Sequence, residues 1–300
     1  MNPADSANHI TFCTMPSYER FVFSGHESFP LKPLWLKKGY DFIEGKNDFN
    51  APDAVVKLGV GKNMVASIRY WLKVTGLLND NGLTGISHFL LSNKDGRDPF
   101  LEDSGTLWLL HYMLVSSKVA TLYNIVFVNL QRERLSFERQ NVLSLVRRTM
   151  TEDGKIKTYN ENTVKKDVGV LIQNYLQPLC VQSMDEYSYI FQELDLIKSS
   201  DGKQYYFNVD GKCPLPEEIL LYAIIEQSSG NRNIEYDFLR TVGLMFCLSD
   251  SQLITMLLSI QVKYPNYIKY SETAGLRQIQ VLRALEPMCI LKTYYQNEKL

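Results

Sequence analysis

The alternation of apolar and polar positions between residues 50 and 93 predicts two helices followed by a hairpin. Asn50 and Pro52 mark the start of the first helix, because asparagine caps helices and proline is tolerated in their first turn. This helix is expected to end near Leu58, before a tight turn bracketed by Gly59 and Gly61. The segment therefore begins with a short helix and a glycine turn.

A second helix is expected to begin near Asn63 and to end at Gly76, with one apolar and one basic face. Its apolar residues fall at i, i+1, i+4, i+7 and i+8 and are Met64, Val65, Ile68, Trp71 and Leu72. The opposite face carries Lys62, Ala66, Arg69 and Lys73. The stretch Asn79-Asp80-Asn81-Gly82 then contains an Asn-Gly pair, which is typical of a hairpin.

Helix, glycine turn, basic amphipathic helix and hairpin form the order of a winged helix-turn-helix. In that module the second helix enters the major groove of DNA, which has about the width of a helix. The alternative is a plain helical hairpin with a solvated basic face. The residues predicted to contact DNA in this part of the chain are Lys37, Lys38, Lys62, Asn63, Arg69 and Lys73.

A similar order returns between residues 162 and 209 and predicts a second winged-helix-like module. One helical face is lined by Val164, Val168, Leu171, Ile172 and Tyr175. Lys165 and Lys166 lie off this face and are predicted to contact DNA. A strand, an Asp201-Gly202 turn and a second strand with alternating apolar residues are expected to follow.

These patterns predict a mostly helical α+β protein. We expect a loose N-terminal arm (1–18), a winged-helix domain with a core helix (19–130), a second winged-helix-like domain (131–212) and a helical C-terminal domain (213–300). The apolar stretch from Gly105 to Leu130 is long enough to span a membrane. A lysine at its middle, Lys118, would cost roughly 3 kcal/mol there, so we predict a buried helix, a break and a strand instead.

Composition limits the class of protein further. Apolar content of 45% and charged content of 22% are ordinary for a soluble globular chain. Five cysteines without a C-x-x-C pair argue against a disulfide framework and against a common zinc motif. The first residues lack the basic and apolar regions of a signal peptide, so a cytoplasmic protein is expected.

Positive charge is concentrated in two windows, although the chain has a formal net charge of −1. Residues 32–73 contain eight basic and four acidic side chains, and residues 132–166 contain nine and five. Both windows coincide with the predicted DNA-binding helices. The alternative for each is a solvated helical surface.

Two polar clusters are candidates for acid–base or metal-assisted attack on a phosphodiester. The first is His26-Glu27, in a turn that Gly25 is expected to open through a positive φ so that both side chains point outward. The second comprises Asp98, Glu102, Asp103 and His111. The residues predicted to be catalytic are His26, Glu27, Glu102 and Asp103. The alternatives are a structural turn, a helix N-terminus that favours acids, and a core histidine.

Three blocks carry a resemblance to a known family: FSGHESFPLKPLWLKKGYD, DAVVKLGVGKNMVASIRYWLKVTGLL and DPFLEDSGTLWLLHYML. They resemble an uncharacterised-domain family of bacterial defence gene clusters, to which the B component of Ssp-type DNA phosphorothioation systems is similar. The resemblance extends from about Tyr18 to Tyr295. It carries three groups of motif positions, which are residues 24–30, 59–62 and 98–111.

The resemblance implies a protein that binds double-stranded DNA and nicks one strand so that sulfur can replace a phosphate oxygen. Its implied partners are a cysteine desulfurase, an ATP pyrophosphatase-type enzyme and an ATPase. Mg²⁺ or Mn²⁺ is expected only if the protein nicks DNA, and no metal ligands are assigned. A non-catalytic DNA-binding regulator or adaptor that docks these enzymes is the alternative, and a defence scaffold without DNA contact is a third.

Overall fold

The computed structural model describes Tyr18 and residues 20–117, 119–177, 189–273 and 275–296 of the 300-residue chain. The predicted N-terminal arm lies outside the described residues except for Tyr18. Within the described parts, no single helix has both the length and the apolar character needed to cross a membrane.

Helices of very different length make up most of the described chain, so the mostly helical α+β prediction is confirmed. They are α1 (Trp35–Glu44), α2 (Ala54–Leu58), α3 (Lys62–Val74), α4 (Gly85–Leu91), α5 (Ser104–Ser116), α6 (Thr121–Asn124), α7 (Gln131–Glu133), α8 (Arg139–Glu152), α9 (Glu161–Tyr175), α10 (Glu217–Ser228), α11 (Tyr236–Met245), α12 (Asp250–Lys263) and α13 (Pro287–Gln296). A π-helix at Ile125–Leu130 joins α6 to α7, and 3-10 turns lie at Ile156–Thr158 and Ile190–Leu194.

Among the described residues, short antiparallel strands form three small sheets. They are β1 (Leu78–Asn79), β2 (Gly82–Leu83), β3 (Ser136–Glu138), β4 (Ile197–Lys198), β5 (Gln204–Phe207), β6 (Asn233–Glu235), β7 (Ile268–Thr273) and β8 (Leu276–Val281). The strand orders are β1-β2, β3-β5-β4 and β6-β8-β7.

The N-terminal helices and hairpin follow the sequence prediction closely. Gly59 ends α2 in the left-handed conformation at φ +62°, and α3 begins one residue before the expected Asn63. The hairpin pairs Asn79 with Gly82, as the Asn-Gly signal indicates. The expected cap of α2 is wrong, because the N-cap position is Asp53, which makes no side-chain capping bond.

The stretch after α5 differs from the prediction of a strand. Residues 121–133 are helical throughout and include the π-helix, although Ile125, Val126 and Val128 are β-branched. All six π-helix residues are buried, so this segment is surrounded by apolar neighbours. Because this segment is buried on every side, its sequence lacks the alternation of apolar and polar residues that a half-exposed strand requires. Tertiary packing then overrides the local preference of β-branched residues for a strand.

The prediction of a helical C-terminal region misses its sheet. Four helices lie there, but β6, β7 and β8 form a three-stranded sheet in which Ile234 pairs with Ile279 and Tyr270 with the same residue. In β7 the buried Ile268 and Tyr270 flank the exposed Lys269, and in β8 the buried Ile279 and Val281 flank the exposed Gln280, so the alternation in each strand is short.

One topological unit occurs twice. The central segment (β3-α8-α9-β4-β5, residues 136–207) and the C-terminal segment (β6-α11-α12-β7-β8, residues 233–281) both run strand, two helices, hairpin. In each sheet the last strand lies between the first and the second. In each segment the second helix thus precedes an antiparallel hairpin, as α3 precedes β1 and β2, although the 3-10 turn at Ile190–Leu194 lies between α9 and β4.

A continuous hydrophobic core connects these segments. Trp71 of α3 and Trp108 of α5 are both 0% exposed, which confirms that they are core residues. Their indole nitrogens donate to the carbonyls of Phe29 and Pro214, so burial leaves neither nitrogen without a partner. A second, smaller cluster of buried apolar residues packs α2 against α1 and α3.

Candidate nucleic-acid interface

The face of α3 opposite Trp71 lines a surface groove of about 730 Å³. The loop before α2 forms one wall, and α3 contributes the other. The α3 residues at the groove are Lys62, Val65, Ala66, Arg69, Tyr70 and Lys73. Three cationic side chains therefore border a single groove, which can accept a polyanion.

The polar side chains of this groove differ in how they are held. Arg69 Nη1 donates to Asn50 Oδ1 at 2.8 Å, and Lys73 Nζ forms an exposed ion pair with Asp80 at 3.1 Å. Lys62 and Asn63 are exposed and have no hydrogen-bond or ion-pair partner among the described residues. Exposed ion pairs contribute little, so Lys73 can exchange Asp80 for a phosphate at small cost.

The two lysines of α1 lie in different environments. Lys37 is only 6% exposed, and its ammonium donates to Asp41 at 2.5 Å and to Asn93 at 2.6 Å. The prediction that Lys37 lies where a phosphate is held has no support in this arrangement. Lys38 is exposed and has no such partner among the described residues.

The basic residues of α9 are also split. Lys165 forms an i,i+4 ion pair with Glu161 at 2.6 Å, and this contact lowers the pKa of the Glu161 carboxyl. Lys166 is exposed without an ion-pair partner in the described ranges. Of the two, Lys166 presents the uncompensated charge.

The His26 side chain is buried and holds the turn to α9. Its Nε2 lies 3.3 Å from Asp167 Oδ1, and its Nδ1 accepts from the Ser28 amide at 3.1 Å. This pattern places the ring proton on Nε2. The ring also stacks on Trp71 with a centroid distance of 6.1 Å. His26 is therefore a contact between the turn, α3 and α9.

The prediction that Gly25 presents both His26 and Glu27 outward is wrong for the histidine. Within the turn, the residues with positive φ are Ser24, Glu27 and Ser28, and Gly25 is not among them. A Cβ at Gly25 would lie 2.4 Å from the Tyr70 ring, so glycine is required there by close packing. Glu27 is exposed, and its catalytic role stays a prediction.

The acidic cluster before α5 organises a helix start. Asp98 is buried, and its two oxygens accept the amides of Glu102 at 2.9 Å and Asp103 at 3.0 Å. Asp103 caps α5 through the Thr106 amide and accepts from the Tyr294 hydroxyl at 2.9 Å. Glu102 is exposed. These contacts account for Asp98 and Asp103 without catalysis, and the roles of Glu102 and Asp103 in chemistry stay predictions.

His111 lies at the centre of the core with 0% exposure. Its Nδ1 is 2.7 Å from the Tyr175 hydroxyl, and its Nε2 is 2.6 Å from the Met245 carbonyl. Burial lowers the pKa of His111 to about 4, so the ring is neutral at neutral pH. This is the core-histidine alternative, and it places His111 away from any solvent-exposed cluster.

These side chains are not arranged to hold a metal ion. Within the described ranges, no three His, Cys, Asp or Glu side chains converge in a way that could hold a metal. The oxygens of Asp98 already accept two amides, so this carboxylate is not oriented toward an ion. The residues do not form a site built for Mg²⁺ or Mn²⁺ by the protein alone.

A comparison with family models decides the relationship of the chain. The model of a family described as a protein of unknown function, DUF4007, matches residues 23–295. The chain belongs to the DUF4007 family. A comparison with proteins of curated function gave no match.

Two solved structures are similar to this DUF4007 protein over most of its length. A magnesium ion-bound SspB crystal structure matches with a TM-score of 0.81 and 25% identity, covering 93% of this chain and 89% of the other. A second SspB crystal structure matches with a TM-score of 0.82 and 26% identity over the same shares. The resemblance to SspB of phosphorothioation systems, expected from the sequence blocks, is therefore confirmed.

Sequence reasoning missed the side chains that position the N-terminal turn and Arg69 in this DUF4007 protein. Asp167 and Asn174 of α9 bind the turn at the Ser24 and Leu31 amides, and Asn50 binds Arg69. The available signal was the position of Asp167 and Asn174 among the apolar residues of the predicted helix, since polar groups on a buried face require partners. Asn50 was assigned to a helix cap instead.

Proposed function

We propose that this DUF4007 protein is the DNA-binding component of a phosphorothioation system. The observation that carries the proposal is the similarity to SspB over 93% of the chain. The groove at α3 supports it, because three cationic side chains border a surface that can accept a phosphate backbone.

In this proposal residues 54–83 act as a winged helix-turn-helix. The order α2, α3 and hairpin suits the module, and the 13 residues of α3 can lie in a major groove. The central segment acts as a second winged-helix-like module, with the exposed Lys166 of α9 as its proposed DNA contact. Lys38, Lys62, Asn63, Arg69 and Lys73 remain the proposed contacts of the N-terminal part.

Strand nicking is the further step of the proposal. The similarity to a magnesium-bound SspB makes Mg²⁺ the first metal to supply, with Mn²⁺ as the second. Magnesium is often held by one or two carboxylates together with substrate phosphates, so DNA would complete the coordination. Glu27 and Glu102 are the exposed carboxylates among the proposed catalytic residues.

A non-catalytic adaptor is the second candidate. It is favoured by the contacts of His26 and Asp103, which are used within the fold, and by the lack of a three-ligand metal cluster among the described residues. In this form the protein docks a cysteine desulfurase, an ATP pyrophosphatase-type enzyme and an ATPase onto DNA.

Two assays test the proposal in order. Fluorescence anisotropy with a labelled duplex at several salt concentrations is expected to show salt-sensitive binding. Supercoiled plasmid with Mg²⁺ or Mn²⁺ is then expected to become nicked, and Glu27→Gln and Glu102→Gln are expected to slow this step without weakening binding. Binding without nicking under either metal would leave the adaptor. A protein that does not bind duplex DNA would contradict both candidates.

A further inference from the structure

At the groove, the guanidinium of Arg69 is hydrogen-bonded to Asn50, which is itself hydrogen-bonded to Asp48. Asn50 Oδ1 accepts from Arg69 Nη1 at 2.8 Å, while Asn50 Nδ2 donates to Asp48 Oδ1 at 3.0 Å. The Asn50 amide nitrogen donates to the same Asp48 oxygen at 2.9 Å. Asp48 therefore fixes the orientation of the Asn50 side chain, and Asn50 in turn positions Arg69.

The partner of Arg69 is neutral, unlike the partners of Lys73 and Lys165. Lys73 pairs with Asp80 and Lys165 with Glu161, so a carboxylate offsets each of those charges. Arg69 keeps its full charge, and Asn50 occupies only one of its five N–H donors. The remaining donors include the pair on Nε and Nη2, which can bind two acceptors side by side.

The position of Arg69 on α3 suits contact with base edges. It lies near the middle of the helix, on the groove face with Lys62 and Lys73 on either side along the axis. Ala66, one turn earlier on that face, is exposed and small, so it leaves space for a close approach. The lysines at the two ends are placed for the phosphates that border a groove.

We propose that Arg69 recognises a guanine through its O6 and N7 in the major groove, and that Asn50 and Asp48 are positioning residues for this contact. Guanine presents two acceptors there, and a fixed guanidinium matches them in a bidentate way. Lys62 and Lys73 contact phosphates and contribute no discrimination between sequences. This inference rests on the proposed duplex binding.

The test begins with selection of preferred duplexes from a randomised library by the full-length protein. In the preferred duplex, each guanine is then replaced singly by 7-deazaguanine, which lacks the N7 acceptor. One replacement is expected to weaken wild-type binding by roughly 5- to 150-fold, the range of one good bidentate contact. The same replacement is expected to leave Arg69→Ala unaffected, because that variant has no contact to lose.

Three variants separate positioning from charge. Arg69→Lys keeps the charge and is expected to lose most of the discrimination against 7-deazaguanine. Asn50→Ala, which removes no charge, is expected to reduce discrimination while the salt dependence stays as in the wild type. Lys62→Ala is the matched control, and it is expected to weaken all sequences equally and to lower the salt slope.

The outcomes distinguish this inference from the proposed function. Equal affinity of the wild type for all duplexes, or equal sensitivity of wild type and Arg69→Ala to every 7-deazaguanine, would overturn the guanine contact and leave duplex binding intact. If Arg69→Lys weakened binding to all duplexes equally, the result would identify Arg69 as a phosphate contact. Lack of wild-type binding to any duplex would instead contradict the proposed function itself.

Discussion

The central and C-terminal segments share one order of elements and one strand order, but their second helices expose different side chains. On α9 the exposed residues include Asn162, Lys165 and Lys166. On α12 they include Ser251, Thr255, Leu258 and Val262, and Val262 is 79% exposed. Lys263 at the end of α12 pairs with Glu218 at 2.5 Å.

The shared topology of these two segments does not by itself determine what each segment binds. The exposed face of α3 resembles α9 in charge, while the exposed face of α12 has no uncompensated cation. A helix that lies before a hairpin becomes a DNA contact only through its outward side chains. We therefore propose DNA contacts for α3 and α9 and none for α12.

The largest expected effect is on the hydrophobic core that the segments share. Trp108 of α5 packs against Phe246, which directly follows α11, with a centroid distance of 5.9 Å. Trp108→Ala is expected to lower the free energy of unfolding by about 3–5 kcal/mol, as measured by denaturant titration. Phe100→Ala is the matched control, since Phe100 is 60% exposed. A loss below about 1 kcal/mol in Trp108→Ala would contradict a shared core.

The second prediction concerns the attachment of α9 to the N-terminal turn, a contact for which α12 has no counterpart in the described chain. Asp167→Ala leaves the Ser24 amide and His26 Nε2 without their acceptor. We expect a loss of about 1–3 kcal/mol in stability. Lys166→Ala on the same helix is expected to change stability by no more than about 0.5 kcal/mol. Equal losses of stability in both variants would contradict the prediction that the contact of Asp167 with the turn stabilises the fold.

The third prediction concerns His111, which bridges α9 and the end of α11. Its pKa is lowered from 6.5 to about 4 in the folded protein, so the unfolded chain takes up a proton first as pH falls. The contribution of neutral His111 is fully present above pH 6.5 and declines below it. By pH 5 the loss reaches up to about 2 kcal/mol.

Thermal unfolding of wild type and His111→Gln between pH 7 and pH 5 measures this term. Gln retains groups that can bond the Tyr175 hydroxyl and the Met245 carbonyl, but it does not titrate. The variant is expected to be less stable at pH 7 and to lose less stability on acidification. Parallel pH profiles for the two proteins would show that His111 does not titrate as its burial indicates.

Local patterns predicted the parts of the fold that depend on neighbours in sequence. The α3 face around Trp71, the Asn79–Gly82 hairpin and the β4–β5 hairpin all follow from spacing and turn residues. In the C-terminal segment, β6 was missed because it pairs with β8 across two helices, while the local β7–β8 hairpin was overlooked because helical periodicity was followed instead. Pairing between distant strands leaves little trace in a single sequence.

The candidate site shows the same limit. The burial of His26 depends on its contact with Asp167 of α9. The same carboxylate accepts from the amide of Ser24, which lies 143 residues earlier in the chain. Lys37 is buried because Asn93, 56 residues later, completes its hydrogen bonds. Residue type and local charge predicted both side chains to be exposed, and only tertiary contacts reverse that expectation.

The smallest expected effect comes from the exposed apolar face of α12. Leu258→Ser with Val262→Ser removes two exposed apolar side chains from the helix. Stability is expected to change by about 0.5 kcal/mol or less, and duplex affinity is expected to remain that of the wild type. Binding measured by anisotropy checks the second point. A loss of affinity in this folded variant would place α12 in the interface and break the distinction between the segments.

The most direct test of the account is the salt dependence of duplex binding in a Lys62→Ala, Lys73→Ala double variant. Each lost phosphate contact is expected to reduce the slope of log affinity against log salt by up to about 0.9, so the variant should lose up to about 1.8. The α12 double variant serves as the folded control and should keep the wild-type slope. A folded Lys62→Ala, Lys73→Ala variant with an unchanged slope would contradict the claim that α3 faces DNA.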